Sequence, residues 1–191
     1  MSLNTFEENQ RRCQLAEGDQ AWVFGYGSLI YLVDFPYIES KQASISGWSR
    51  RFWQGSHDHR GTEANPGRVV TLIEETDTIC HGIAYRVEAS VFAQLDIREK
   101  NGYLRFSTEM TFADGSSEQG LVYIATADNE AYLGEASEYD IASQIANTEG
   151  PSGTNSDYIL ELARALRRMD VDDPHVFEIE RHLQQLIEPE D

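Results

Sequence analysis

Residues 22 to 30 read Trp-Val-Phe-Gly-Tyr-Gly-Ser-Leu-Ile, and this stretch decides how the rest of the chain is interpreted. Apolar, aromatic and β-branched residues meet two glycines, a tyrosine and a serine, a pattern typical of a buried strand that ends in a tight loop. Gly25 and Gly27 let backbone N–H groups approach a ligand closely. Such groups could bind a carboxylate or an oxyanion, although the stretch alone is also compatible with an ordinary glycine-rich turn.

The composition of the chain restricts its partners. The 191 residues fit one domain, and 33 acidic against 15 basic side chains give a net charge of −18. This charge repels phosphate backbones and anionic bilayers, so we predict neither a nucleic-acid partner nor a membrane partner. The two cysteines, Cys13 and Cys80, form no C-x-x-C pair, which indicates free thiols and a cytoplasmic location. The oligomeric state does not follow from the sequence.

Most of the region from Trp22 to Ile124 is predicted to form β-strands. It is rich in Val, Ile, Tyr, Phe and Thr, with turn residues between the apolar runs. Asp114-Gly115 is a hairpin signal between two of these runs. The predicted strands cover residues 21–26, 42–47, 50–54, 68–75, 79–87, 104–112 and 118–126.

The remaining segments are predicted to form helices. A short helix is predicted over residues 5–17 and another over 89–98, and three follow Asn129. Of these three, the first is capped by Ser137, the second by Asn155, and the third starts at Asp173-Pro174. We therefore expect an α+β fold, a twisted sheet or small β-barrel with flanking helices and a helical C-terminal part. Residues 1–20 are predicted to be an N-terminal extension, and residues 21–188 a single domain.

The polar loop of residues 57–69 offers two kinds of chemistry. His57, Asp58 and His59 could suggest a metal site, but the ligand set is incomplete, and solvated loop histidines are the simpler interpretation. Arg60 and Arg68 are better candidates for contacts with a substrate carboxylate, because a guanidinium binds a carboxylate through two parallel hydrogen bonds. The alternative for both arginines is surface charge or a salt bridge that fixes the loop.

Two further segments carry candidate residues. Glu99 lies where a helix ends ahead of Gly102, and a partly buried glutamate at such a junction can act as general acid and base near neutral pH. Tyr158 follows a Gly/Pro/Ser loop that leads into a helix. On composition alone, the alternatives are a solvated helix end for Glu99 and a structural connection for the segment that contains Tyr158.

Together and in this order, the segments resemble the ChaC-like γ-glutamylcyclotransferases, specifically the glutathione-specific branch. The resemblance covers residues 22 to about 168, and eight collinear motifs make it specific. They are WVFGYGSLI at 22–30, DFPY at 34–37, SRRFWQG at 49–55, DHRG at 58–61, PGRVVTL at 66–72, GIAYR at 82–86, REK with GY at 98–103, and GPSG with Asn155 and YIL at 150–160.

The resemblance implies an enzyme that cleaves glutathione to 5-oxoproline and cysteinylglycine without cofactor, metal or ATP. It implies that Glu99 is the catalytic acid and base. The implied substrate contacts are Tyr26, Gly27, Ser28, Leu29, Arg60, Arg68 and Tyr158. Two alternatives stay open: a cyclotransferase for other γ-glutamyl substrates, and a non-catalytic γ-glutamyl-binding or regulatory module.

Overall fold

The core of the structure, a computed structural model that describes residues 4–188, is a closed five-stranded barrel. The strands are β1 (Gln20–Gly25), β2 (Glu39–Ser56), β3 (Gly67–Glu88), β4 (Tyr103–Phe112) and β5 (Ser117–Ala125). They are ordered β1-β3-β2-β4-β5, and a parallel pairing of β1 with β5 closes the barrel. The predicted α+β barrel is therefore confirmed, as is the β4–β5 hairpin at Asp114-Gly115.

Two of the strands are longer than predicted. The runs at 42–47 and 50–54 belong to β2, and those at 68–75 and 79–87 belong to β3. The sequence predicts a break in each of these two strands because the register of β2 against β3 shifts between Ser46 and Trp48. At this point Gly47 in β2 has φ +81°, and Asp77 in the facing part of β3 has φ +64°. A local bulge interrupts the apolar pattern without ending the strand.

Three helices cover the barrel: α3 (Glu138–Ala146), α4 (Asn155–Arg168) and α5 (Pro174–Ile187). The hydroxyl of Ser137 and the carboxylate of Asp173 accept bonds from the first turns of α3 and α5, as predicted. The cap of α4 is Thr154 and not Asn155, because the Asn155 side chain instead bonds the backbone N–H and C=O of Arg68. A two-residue hairpin, β6 (Glu149–Gly150) and β7 (Gly153–Thr154), joins α3 to α4.

The apolar face of α4 packs into the core between the barrel and the helices. Tyr158, Ile159, Leu162 and Leu166 form one buried stripe against the barrel strands and the other helices. The helices within residues 4–188 are all too short or too polar to span a lipid bilayer.

Two shorter helices lie next to the candidate site. Helix α1 (Phe6–Arg11) is shorter than predicted, because the chain is extended at Arg12 and left-handed at Cys13. Helix α2 (Val91–Arg98) packs in a second apolar cluster with β1 and β3. Residues 1–3 and 189–191 lie outside the described part of the chain, and the division into an extension of residues 1–20 and a domain of residues 21–188 stays a prediction.

Candidate active site

The loop that follows β1 forms one wall of the site. Strand β1 ends at Gly25, and a 3-10 turn (Ser28–Ile30) begins three residues later. A Cβ atom on Gly27 would lie 2.7 Å from Val70 Cγ2 and 2.9 Å from the Tyr158 hydroxyl, so only glycine fits here. Within residues 4–188, the backbone N–H groups of Tyr26 and Gly27 have no hydrogen-bond acceptor. They are donors available to a ligand.

Glu99 forms the opposite wall at the C-terminal end of α2. Its backbone N–H bonds Leu95 C=O and closes the helix, while its side chain is only 17% exposed. Arg98 Nε lies 3.5 Å from Glu99 Oε1. The same guanidinium donates to Ser28 Oγ at 3.0 Å and to Asp34 Oδ1 at 2.5 Å. Arg98 therefore links Glu99 to the loop that follows β1.

Behind Glu99, the chain makes a tight turn into β4. Gly102 has φ +92°, and a Cβ atom there would lie 2.6 Å from Asn129 Oδ1, so both the conformation and the close contact require glycine. Tyr103 then begins β4, and its hydroxyl donates to Val70 C=O at 2.7 Å. The turn thus fixes Glu99 and the Tyr103 ring next to each other.

These walls enclose a cavity of about 250 Å³ that continues into a recess of about 50 Å³. Four residues line both spaces, namely Ser28, Glu99, Tyr103 and Tyr158. Gly27 and Leu29 line the recess, while Arg60, Asp58 and Asp34 line the outer cavity. The size is close to the lower end of ligand pockets, about 300 Å³. Because Glu99 lines both the cavity and the recess, a ligand in either space would lie next to this residue.

The electrostatics of the cavity act mainly on Glu99. Burial raises the pKa of Glu99 to about 7, Arg98 offsets part of this rise, and the negative charges of Asp34 and Asp58 add to it. Near neutral pH the carboxyl group is therefore present in both protonation states. A group with this property can accept a proton in one step and return it in the next.

This pKa carries a stability prediction for Glu99→Gln. The folded state binds the Glu99 proton more tightly than the unfolded chain, so the stability from this site is complete below the unfolded pKa and is lost as pH rises through about 7. Glutamine does not titrate. We expect equal free energies of unfolding for wild type and variant at pH 4.5, and an advantage of about 2–3 kcal/mol for the variant at pH 8.5. Urea unfolding at both pH values measures this difference, and equal stabilities at pH 8.5 would contradict the raised pKa.

The structure brings most of the predicted substrate residues into the cavity. Tyr26 lines the recess, but its hydroxyl donates to Tyr123 C=O at 2.7 Å in a buried hydrogen bond of the core. The Arg60 guanidinium lies 5.9 Å from the centre of the Tyr158 ring and donates to Thr154 C=O at 3.1 Å. Tyr158 keeps its hydroxyl 3.4 Å from Val70 N–H, directly above Gly27.

Arg68 differs from the prediction of a substrate contact. It lines neither the cavity nor the recess. Its guanidinium donates to Gln144 Oε1 at 2.7 Å and to the carbonyls of Phe52 and Gly134, both at 2.9 Å. The structure thus gives Arg68 the role of joining β2 and β3 to α3 through neutral acceptors, which is neither the surface charge nor the salt bridge considered as its alternative.

His59, in the loop of residues 57–61, contacts the β6–β7 hairpin. His59 Nδ1 lies 3.2 Å from Ser152 Oγ, and His59 C=O accepts a bond from Ser152 N–H. These contacts attach the loop to the β6–β7 hairpin. In residues 4–188 we find no group of three His, Cys, Asp or Glu side chains arranged to hold a metal ion.

Several cavity residues were not predicted individually, although they lie in the motifs quoted above or beside them. Arg98 precedes Glu99, Asp34 opens the DFPY motif, and Asp58 opens DHRG. Asn101 donates a hydrogen bond to Asp58, and Tyr103 follows Gly102. Their positions in or beside the motifs were the only signal, and polar residues at such positions are usually solvated, so only the folded arrangement distinguishes them.

Comparison with known proteins agrees with this geometry. The family model described as ChaC-like protein matches residues 21–186. A Danio rerio protein named glutathione-specific gamma-glutamylcyclotransferase 1 is 48% identical over 179 residues, 88% of this chain and 91% of the relative. A Saccharomyces cerevisiae protein named glutathione-specific gamma-glutamylcyclotransferase is 34% identical, over 78% of this chain and 87% of the relative.

A solved structure shows the same fold. The crystal structure of a yeast gamma-glutamyl cyclotransferase specific to glutathione superposes with a TM-score of 0.81 at 31% identity, over 87% of this chain and 96% of the yeast chain. The matched range contains the loop after β1, Glu99 and Tyr158, which together form the cavity. The chain therefore belongs to the ChaC-like family.

Proposed function

We propose that this protein cleaves glutathione by intramolecular cyclotransfer, which releases 5-oxoproline and cysteinylglycine, and that Glu99 is its general acid and base. One observation carries the proposal: a carboxyl group with a pKa of about 7 faces, across one cavity, a loop with free backbone N–H donors. Relatives up to 48% identical that are named as glutathione-specific support the substrate.

The reaction moves two protons from the attacking nitrogen to the leaving nitrogen. Ionised Glu99 takes a proton from the α-ammonium group of the γ-glutamyl residue, and the resulting amine attacks its own γ-carbonyl carbon. A C–N bond forms in a five-membered ring, and protonated Glu99 gives its proton to the cysteinyl nitrogen as the original amide C–N bond breaks. The ionised carboxylate then takes the second proton from the lactam nitrogen and passes it to the released amine, which leaves as an ammonium group. Because attack is intramolecular, a correctly folded substrate replaces a second reactant and gains a large effective concentration.

The loop of residues 26–29 is assigned to bind the reacting end of the substrate. The free N–H groups of Tyr26 and Gly27 can donate to the oxyanion that forms when the amine attacks the carbonyl. The Ser28 hydroxyl is held by Arg98, which also faces Glu99. This arrangement would keep the attacked carbonyl and the proton carrier on opposite sides of the same small space.

Arg60 is assigned to the anionic far end of glutathione. The chain carries a net charge of −18, so a cation that lines the cavity matters for an anionic substrate. The Arg60 side chain is placed by Thr154 C=O and stacks near Tyr158, which leaves further guanidinium donors for a carboxylate.

The proposal includes the cytoplasm as the site of action. Cys13 and Cys80 are both free thiols, which fits a reducing compartment that holds glutathione. Fluorescence microscopy of the full-length tagged chain tests this part separately from the activity.

A substrate panel tests the specificity. We expect purified protein with millimolar glutathione to release 5-oxoproline and cysteinylglycine, and kcat/KM for γ-glutamyl-alanine and γ-glutamyl-lysine to be at least about 100-fold lower, since unpaired polar groups in the cavity penalise shorter ligands. Mass spectrometry follows both products. Equal rates across the panel would instead favour a general γ-glutamyl cyclotransferase, and binding without product would favour a regulatory module.

A further inference from the structure

The segment ahead of the barrel contacts the back of the loop that carries Glu99. Thr5 is 1% exposed, and its backbone N–H donates to Lys100 C=O at 2.7 Å. Its hydroxyl lies 2.8 Å from Tyr103 C=O and 3.4 Å from Glu99 C=O. One hydroxyl proton serves one acceptor at a time, and the shorter distance favours Tyr103. Through two bonds, Thr5 thus holds both ends of the turn after Glu99.

Asn9, one helical turn later, strengthens the same attachment. It is fully buried, its amide N–H donates to Tyr103 C=O at 2.9 Å, and its amide oxygen accepts from Arg105 N–H at 2.8 Å. The Arg105 side chain then bonds Arg12 C=O at 3.0 Å and lies 3.8 Å from Asp96 in α2. The segment is thereby connected to both the helix before Glu99 and the strand after it.

The other side of the turn is fixed by the barrel. Gln54 and Asn129 exchange two side-chain hydrogen bonds of 3.0 and 3.1 Å, and both side chains lie next to Gly102. Gln54 also lies 3.4 Å from Asn101 C=O. The turn of residues 99–103 is therefore held between this amide pair and the N-terminal segment.

We propose that Thr5 and Asn9 are positioning residues for the cyclotransfer, which hold the Glu99–Tyr103 turn in its reactive geometry. The proposal rests on the proposed function and deepens it. Neither side chain lines the cavity, so both act through the carbonyl groups that they bind. Both side chains donate to Tyr103 C=O, so the loss of either one removes one of its two side-chain donors and loosens the turn. A displacement of about 1 Å at a reacting group can cost about 100-fold in rate.

The test uses the full chain with Thr5→Val and Asn9→Ala. We expect kcat for glutathione to fall at least about 10-fold in each, because Glu99 moves, with KM within about threefold of wild type, because the 26–29 loop and Arg60 are untouched. Thr5→Ser keeps the hydroxyl and is expected to restore kcat to within about twofold of wild type. Hydrogen exchange of the backbone amides in residues 99–103 is expected to accelerate about 10-fold in Thr5→Val.

Thr148→Val is the matched control. Thr148 is 4% exposed, donates to Gln144 C=O at 2.6 Å and lines neither the cavity nor the recess. Thr148→Val removes a buried hydrogen bond comparable to the one that Thr5→Val removes, and we expect kcat per folded molecule to stay unchanged. If Thr5→Val and Asn9→Ala behave like this control in both kcat and exchange, the positioning role is wrong. An inactive wild type with faster exchange in Thr5→Val would contradict the proposed function and leave the attachment of the turn intact.

Discussion

Glu99→Gln is expected to lower kcat for glutathione by at least about 1,000-fold, near the upper part of the range for general acid–base catalysis, because one group serves two proton transfers. Glutamine keeps the shape of the side chain and its place beside Arg98, but it neither accepts the ammonium proton nor returns one. We expect KM to change less than about threefold, because the loop donors and Arg60 stay in place. Steady-state product formation followed by mass spectrometry measures both constants.

Glu109→Gln is the control for this substitution. Glu109 is exposed on β4 and lines neither the cavity nor the recess, so the same change of charge should leave kcat within about twofold. Circular dichroism and urea unfolding confirm that both variants are folded. A Glu99→Gln enzyme with more than a tenth of the wild-type kcat would remove Glu99 from its role.

The largest effect on stability is expected for Arg50→Met. Arg50 is 3% exposed, and its guanidinium donates to Tyr26 C=O at 2.6 Å, to Asp173 Oδ2 at 2.5 Å and to His81 C=O at 2.5 Å. It joins the substrate loop, the first turn of α5 and strand β3. Methionine fills much of the space but leaves Asp173, whose side chain is only 13% exposed, without its arginine, while Val176 N–H still donates to its other oxygen. We expect a loss of about 3–5 kcal/mol in the free energy of unfolding.

Arg164→Met provides the comparison for Arg50→Met. The Arg164–Glu161 pair has the same 2.5 Å separation, but its side chains are 58% and 43% exposed. An exposed pair contributes little, so this variant should change stability by less than about 0.5 kcal/mol. Urea unfolding at pH 7 measures both variants. A loss below about 1 kcal/mol for Arg50→Met would show that solvent or neighbouring side chains replace the Arg50 contacts.

The sheet or small barrel could be predicted from the sequence because its strands are rich in Val, Ile, Tyr, Phe and Thr and are separated by turn residues. The Asp114-Gly115 hairpin and the caps at Ser137 and Asp173 depend only on residues close together in the sequence. They can therefore be predicted without knowledge of the fold. The α4 cap was misplaced for the opposite reason. Asn155 satisfies the Arg68 backbone from 87 residues away, a long-range contact that no local pattern contains.

The candidate site was predicted less completely than the fold. Glu99 and the loop of residues 26–29 followed from motifs, and they do meet at one cavity. Arg60 and Arg68 looked equivalent in sequence, but β2, β3 and α3 surround the Arg68 guanidinium while Arg60 faces the cavity. The contacts of Thr5 with the Glu99 turn join residues 94 and 98 positions apart, so no local pattern connects the N-terminal segment with the site.

The measurement that tests the central claim most directly is product analysis in water enriched in oxygen-18, with glutathione as substrate. Cyclotransfer consumes no water, so we expect equal amounts of cysteinylglycine and 5-oxoproline, with no oxygen-18 in the lactam, from wild type and essentially no product from Glu99→Gln. Glutamate that carries oxygen-18 in its γ-carboxyl group would show hydrolysis instead and would contradict the account.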